Sequence, residues 1–246
     1  MAPDPWALLP VMAIAFAGSI VGGMSGYGAG LLLPLVLVPL VGPVPVVPII
    51  ALGAIANNIS RAIVFRDAID KRLALTGALC ALPGAALTAW GYTLLSGRAI
   101  QALIGCVLLA MVVLRRILKR ADRHIGPATY KGFTVGYGLV TGGTSGAGVL
   151  LVSILMAAGL TGTAVVATDA VITIVLTVVK VVMFALAGLI GRTELILGAA
   201  IAIVAVPGAV IARWLLARMS VKVHTALLDA VVLAGAAVLL WHAVRG

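Results

Sequence analysis

The chain has 246 residues, 63% of them hydrophobic and only 10% charged, with a formal net charge of +10 and a mean hydropathy of +1.25. That balance excludes an ordinary soluble domain, and apolar runs of spanning length from end to end indicate an all-α polytopic membrane protein. The positive charge does not indicate a nucleic-acid partner, because the basic residues fall in the short links between spans, where the positive-inside bias puts them.

The first apolar run begins at Trp6 without a basic flank and without a following A-x-A site, so it reads as a first span rather than a removed signal peptide. It covers residues 6–22 and ends in Gly22-Gly23-Met24-Ser25-Gly26-Tyr27-Gly28-Ala29-Gly30. Leu31–Leu40 follows, interrupted by Pro34 and Pro39 and too short to cross roughly 30 Å of hydrocarbon untilted. It reads as a half-helix of a re-entrant hairpin or the second limb of a broken helix. Pro43, Pro45 and Pro48 lead into a span reaching about Phe65, and spans at about 73–94 and 98–118 complete the first half. Cys80 and Cys106 sit in separate apolar segments without metal-ligand spacing and read as buried small hydrophobes.

The second half repeats the plan. Residues 132–141 lead into Gly142-Gly143-Thr144-Ser145-Gly146-Ala147-Gly148, displaced by 120 from the first glycine cluster. Val149–Leu160 is a short apolar limb, and spans follow at about 162–190, 195–216 and 222–244. Pro83-Gly84 matches Pro207-Gly208 at an offset of 124. The expected organisation is a first repeat over 1–114, a basic connecting loop over 115–131 on the cytoplasmic side, and a second repeat over 132–246. Each repeat holds a Gly-broken or re-entrant segment and three transmembrane helices, giving about eight spans and two half-helices, the plan of many secondary transporters.

Repeat orientation turns on the broken segments. If each counts as one crossing, the halves are parallel; if the short limb returns to its starting side, they are inverted. In the inverted arrangement the basic clusters at Arg61, Arg66, Lys71 and Arg72 and at Arg115–Lys131 share a side with Arg213, Arg218 and Lys222. Only Arg98, Arg192 and Arg245 then lie opposite, so charge favours inversion.

Paired glycine breaks near the start of two halves, P-G in the third span of each, and a basic central link resemble the TauE/SafE family of sulfite and organosulfonate transporters. The resemblance covers nearly the whole chain. It implies a multi-pass carrier of the bacterial cytoplasmic membrane for sulfur-containing or other small organic anions, in most assignments an exporter. It does not choose among those substrates.

The residues themselves suggest where an anion would sit. A broken helix leaves terminal N–H groups without partners, and in lipid these must be satisfied internally. Two half-helix N-termini aimed at one anion would do so and add favourable dipole ends. Gly23, Ser25, Gly26 and Gly28 in the first cluster, and Gly143, Thr144, Ser145 and Gly146 in the second, are the candidates; the bland alternative is tight helix packing by small residues. A polar stripe follows each break. Asp169, Thr173, Thr177 and Lys180 share one helical face, and Gly53, Asn57 and Ser60 correspond to Thr173, Thr177 and Lys180, with Arg61 adjoining. Asn57, Arg61, Thr177 and Lys180 are therefore substrate-binding candidates, Lys180 as a neutraliser of anionic charge. Asp169 is the candidate carrier of a coupling proton, or else a helix cap. Asp169 and Lys180 stand roughly 16 Å apart along the helix and cannot pair directly.

Two rival functions use the same features. Gly23-Met24-Ser25-Gly26 and Gly143-Thr144-Ser145-Gly146 fit the G-x-S-G pattern of intramembrane serine proteases, but none of His124, His224 and His242 is placed to serve as a base. A passive anion channel would use the same half-helix ends. No P-loop is present. The expected function is thus a non-enzymatic, proton-coupled secondary transporter working by alternating access, without cofactor or metal. Its partners are a small anion, protons and the bilayer, and the chain is compatible with a homodimer.

Overall fold

The computed structural model describes residues 5–25, 29–118 and 124–216. Gly26 and Gly28, residues 119–123 of the central basic link, and the last expected span with His224, Asp229 and His242 lie outside the described residues. Within them there are nine α-helices and no strand: α1 (Pro5–Ser25), α2 (Ala29–Val41), α3 (Val46–Val64), α4 (Lys71–Thr93), α5 (Gly97–Leu118), α6 (Pro127–Thr141), α7 (Gly148–Ala157), α8 (Thr163–Leu186) and α9 (Arg192–Leu216). Four of these, α3, α4, α8 and α9, are long and apolar enough to cross a membrane. The protein is a multi-pass membrane protein.

Local chemistry sets the boundaries. The Asp70 carboxylate accepts from the Leu73 amide at 2.8 Å and caps α4. Pro127 opens α6 within its first turn, inside the stretch expected to be a link, so Tyr130 and Lys131 are helical. α1 continues through Gly22 and Gly23 to Ser25, so the first break begins later than its glycines suggested. α7 has 10 residues and α2 has 13, about 15 and 20 Å long, too short to cross hydrocarbon.

Two extensive helix pairings cross between the halves. α1 lies along α9, where a Cβ at Gly23 or Gly208 would overlap Ala212 or Ser19 respectively. α6 lies along α4, where a Cβ at Gly138 or Gly142 would overlap the carbonyls of Ala81 or Ala85. In both pairs the residue numbers rise together, so each pair is parallel. Small residues let backbones approach within dispersion range, the main source of helix association in lipid. α3 and α8 are antiparallel. Arg61, near the end of α3, meets Asp169, near the start of α8. At the other end, Phe184 stacks at 5.3 Å on Tyr92, whose hydroxyl donates to the Val44 carbonyl at 2.8 Å.

α6 and α7 form a hairpin, because the Ile125 amide donates to the Ala157 carbonyl at 2.9 Å and so brings the end of α7 beside the start of α6. α2 likewise starts against Gly18 of α1. Outward faces carry exposed Leu75, Leu79, Leu87 and Trp90 on α4, and Ile203, Val210 and Trp214 on α9. Arg66, Lys71, Arg72 and Lys131 are exposed at one end of the bundle, and Arg98 and Arg192 are exposed at the other.

Candidate functional site

Between α1, α2, α3, α6, α7, α8 and α9 lies a cavity of about 110 Å³. The second glycine cluster forms one wall. After Thr141 the helix stops, residues 142–147 are not helical, and α7 resumes at Gly148. Gly146 has φ +84°, a left-handed conformation that favours glycine. A Cβ there would come within 2.5 Å of Leu31, and a Cβ on Gly30 would come within 2.7 Å of the Gly146 amide. The Ser145 hydroxyl donates to the Gly30 carbonyl at 2.9 Å. The second break therefore rests on the start of α2, and the N-termini of α2 and α7 meet at the cavity.

Lys180 closes the other side of the break. Its Nζ donates to the carbonyls of Thr141 at 2.9 Å and Thr144 at 2.8 Å. Thr141 ends α6, where carbonyls lack intrahelical partners and the helix dipole is negative, and Thr144 lies in the break just beyond it. The sequence suggested that Lys180 receives the anion directly. Instead its hydrogen bonds cap a broken helix, while its charge remains beside the cavity.

The third feature is an ion pair between α3 and α8. Arg61 Nη2 donates to Asp169 Oδ2 at 2.7 Å and to the Val166 carbonyl at 3.2 Å. Its Nη1 donates to Asn58 Oδ1 at 2.9 Å. Arg61 is 3% exposed and Asp169 1%, so neither charge is stabilised by solvent and each depends on the other. Helix capping by Asp169 is ruled out, because Gly162 occupies the N-cap of α8 and Asp169 lies inside the helix. Asp169 Oδ1, Asn57 Oδ1 and Thr173 Oγ1 are buried without a hydrogen-bond partner among the described residues. All three residues line the cavity, so its wall carries unused polar capacity.

Of the residues selected from sequence, Asn57, Arg61, Thr144, Ser145, Gly146, Asp169, Thr177 and Lys180 come together around the cavity. Gly23 and Gly143 do not line it. Gly23 packs on Ala212 of α9, and Gly143 packs on the Thr88 carbonyl of α4, the packing service small residues give in membranes. The Ser25 side chain, Gly26 and Gly28 lie outside what is described. Sequence reasoning missed Tyr137, Thr141 and Asn58. A signal existed for the first two, since Tyr130, Thr134, Tyr137 and Thr141 follow each other by 4, 3 and 4 and make a polar face on α6.

A family model described as sulfite exporter TauE/SafE matches residues 11–239 of the chain. No curated protein and no solved structure gives a significant match.

Proposed function

The chain belongs to the sulfite exporter TauE/SafE family, and on that premise we propose that it carries sulfite or a similarly small sulfur-containing or organic anion across the bacterial cytoplasmic membrane. The observation that carries the reading is the meeting of two helix N-termini, α2 at Gly30 and α7 at Gly148, around one small cavity. Aligned amides there supply partial positive charge and donors for an oxyanion. Ser145, Thr177, Asn57 and Arg61 add polar groups on the same wall, and Lys180 adds charge without needing to touch the ligand. A cavity of about 110 Å³ is well below the roughly 300–1,000 Å³ of drug-sized sites and suits an anion of a few heavy atoms.

Alternating access by two inverted repeats is part of the same proposal. It is supported by the antiparallel α3–α8 pair and by the hairpins α1–α2 and α6–α7, which enter from opposite ends of the bundle. The exposed basic cluster of Arg66, Lys71, Arg72 and Lys131 supports a cytoplasmic assignment for that end. Asp169 is the group we assign to proton coupling. The test is transport into proteoliposomes of purified protein. Sulfite should accumulate uphill when a pH gradient is imposed and should lose that accumulation when the gradient is collapsed. Flux that only ever runs down the anion gradient would mean a channel, and no flux of sulfite, sulfonates or carboxylates would sink the anion reading. Ligand-dependent thermal stabilisation of the purified protein would name the best anion.

A further inference from the structure

Among the described residues that line the cavity, the cations are Arg61 and Lys180 and the anion is Asp169. Lys180 directs two hydrogen bonds at the Thr141 carbonyl that ends α6 and the Thr144 carbonyl in the break. Arg61 directs its own at Asn58, Val166 and the Asp169 carboxylate. An arriving anion therefore meets a guanidinium whose charge is already balanced by a carboxylate 2.7 Å away. The second oxygen of that carboxylate is buried and accepts no hydrogen bond from the described residues.

We infer, resting on the anion-carrier reading above, that Arg61–Asp169 is a resident ion pair which opens on loading, so that the anion and one proton bind together and travel in the same direction. A proton from water adds to Asp169 Oδ1 and the carboxylate becomes a neutral acid. The Arg61–Asp169 attraction falls away, and the guanidinium is left to bond an oxygen of the incoming anion. The new O–H is a donor, and Asn57 Oδ1 and Thr173 Oγ1, on residues lining the same cavity, have no partner among the described residues. An anion entering beside an ionised Asp169 would instead place two negative charges around one guanidinium in a site screened from water. Exchange of an anion against a proton would require oppositely charged ligands to exclude each other, against their mutual attraction.

The titratable neighbours among the described residues are few. α3 presents Arg61, α6 presents Tyr137, and Lys180 lies on the same helix as Asp169 but farther along the cavity. Asp70 adjoins through its amide bond to the Thr168 hydroxyl, and the exposed Arg66–Asp67 pair follows α3. No charged side chain described on α1, α2, α7 or α9 lines the cavity.

The test uses the purified full chain in weakly buffered detergent with a pH-indicator dye, adding sulfite or methanesulfonate. Methanesulfonate keeps one charge across the range, so its proton count belongs to the protein. About one proton should be taken up per anion bound, and methanesulfonate affinity should weaken about tenfold for each pH unit above the range where Asp169 holds its proton. Asp169→Asn should bind without proton uptake and with a flat pH profile. Proton release, or binding to the natural protein without uptake, overturns the inference while leaving the carrier reading intact. Absence of binding by both anions removes the carrier reading instead. The measurement on the natural protein stands even if the variant does not fold.

Discussion

Replacing Lys180 by Met separates two roles that the sequence alone leaves merged. In the structure the ammonium makes two charge-assisted bonds, to Thr141 at the end of α6 at 2.9 Å and to Thr144 in the break at 2.8 Å, and the residue is 8% exposed. Such bonds contribute about 1.5–3 kcal/mol each, so their gross loss is about 3–6 kcal/mol. Removing a buried ammonium also relieves its desolvation cost, so the net destabilisation should be smaller than that gross loss. Reversible unfolding of purified protein in mixed micelles measures the total. Hydrogen exchange locates it, and the amides of residues 142–148 should lose protection first. A Lys180→Met variant with unchanged stability and unchanged exchange, yet without stabilisation by sulfite, would refute the capping argument and return Lys180 to direct anion contact.

Removing either Arg61 or Asp169 alone, as Arg61→Met or Asp169→Leu, should cost about 3–5 kcal/mol by stranding a buried charge. The double variant should cost far less than the sum, and additive losses in an unfolding cycle would deny the pair its coupling. Gly136 and Gly138 offer opposite signs two residues apart. Nothing lies within 4 Å of a Cβ at Gly136, whereas one at Gly138 overlaps the Ala81 backbone. Gly136→Ala should therefore stabilise by up to about 1 kcal/mol through helix propensity, and Gly138→Ala should destabilise by about 1–3 kcal/mol; shifts of equal sign in thermal unfolding would contradict the α4–α6 packing. Ser145→Ala loses the bond to Gly30 and should lower stability by about 1 kcal/mol while leaving measurable sulfite transport. Complete loss of flux in a folded variant would give that hydroxyl a larger part than a strut.

The helical class, the short limbs and the second break were legible because glycine and proline spacing act locally. Thr144, Ser145 and Gly146 were found for the same reason. The Arg61–Asp169 pair was not legible, since its partners are separated by 108 positions and meet only once the antiparallel register of α3 and α8 is set. The role of Lys180 was hidden likewise. A lysine amid apolar residues signals a cost, but the carbonyls that offset it lie at a helix end and break 36–39 residues earlier. Gly23 and Gly143 were over-read, because glycine that packs against a crossing helix and glycine that lines a ligand site look the same along the chain. Which it is depends on Ala212 and Thr88, from helices that sequence order does not make neighbours. Tyr137 is inconspicuous in the sequence because it stands among apolar residues, although its face on α6 repeats the polar spacing of α8.

The exchange of partners between halves also has a consequence for biogenesis. α6 emerges from the ribosome after its partner α4 is already in place. For α1 the wait is longer: the helix that fills its groove at Gly23 is α9, which begins at Arg192. At about 5–20 residues per second, the roughly 170 residues between them take about 10–30 s to synthesise. For that interval α1 and α2 sit in the membrane with their small-residue face open to lipid or to the insertion machinery. The first helix pair is thus inserted early and assembled late, and truncation before α9 should leave α1 as a substrate for membrane quality control rather than half of a working carrier.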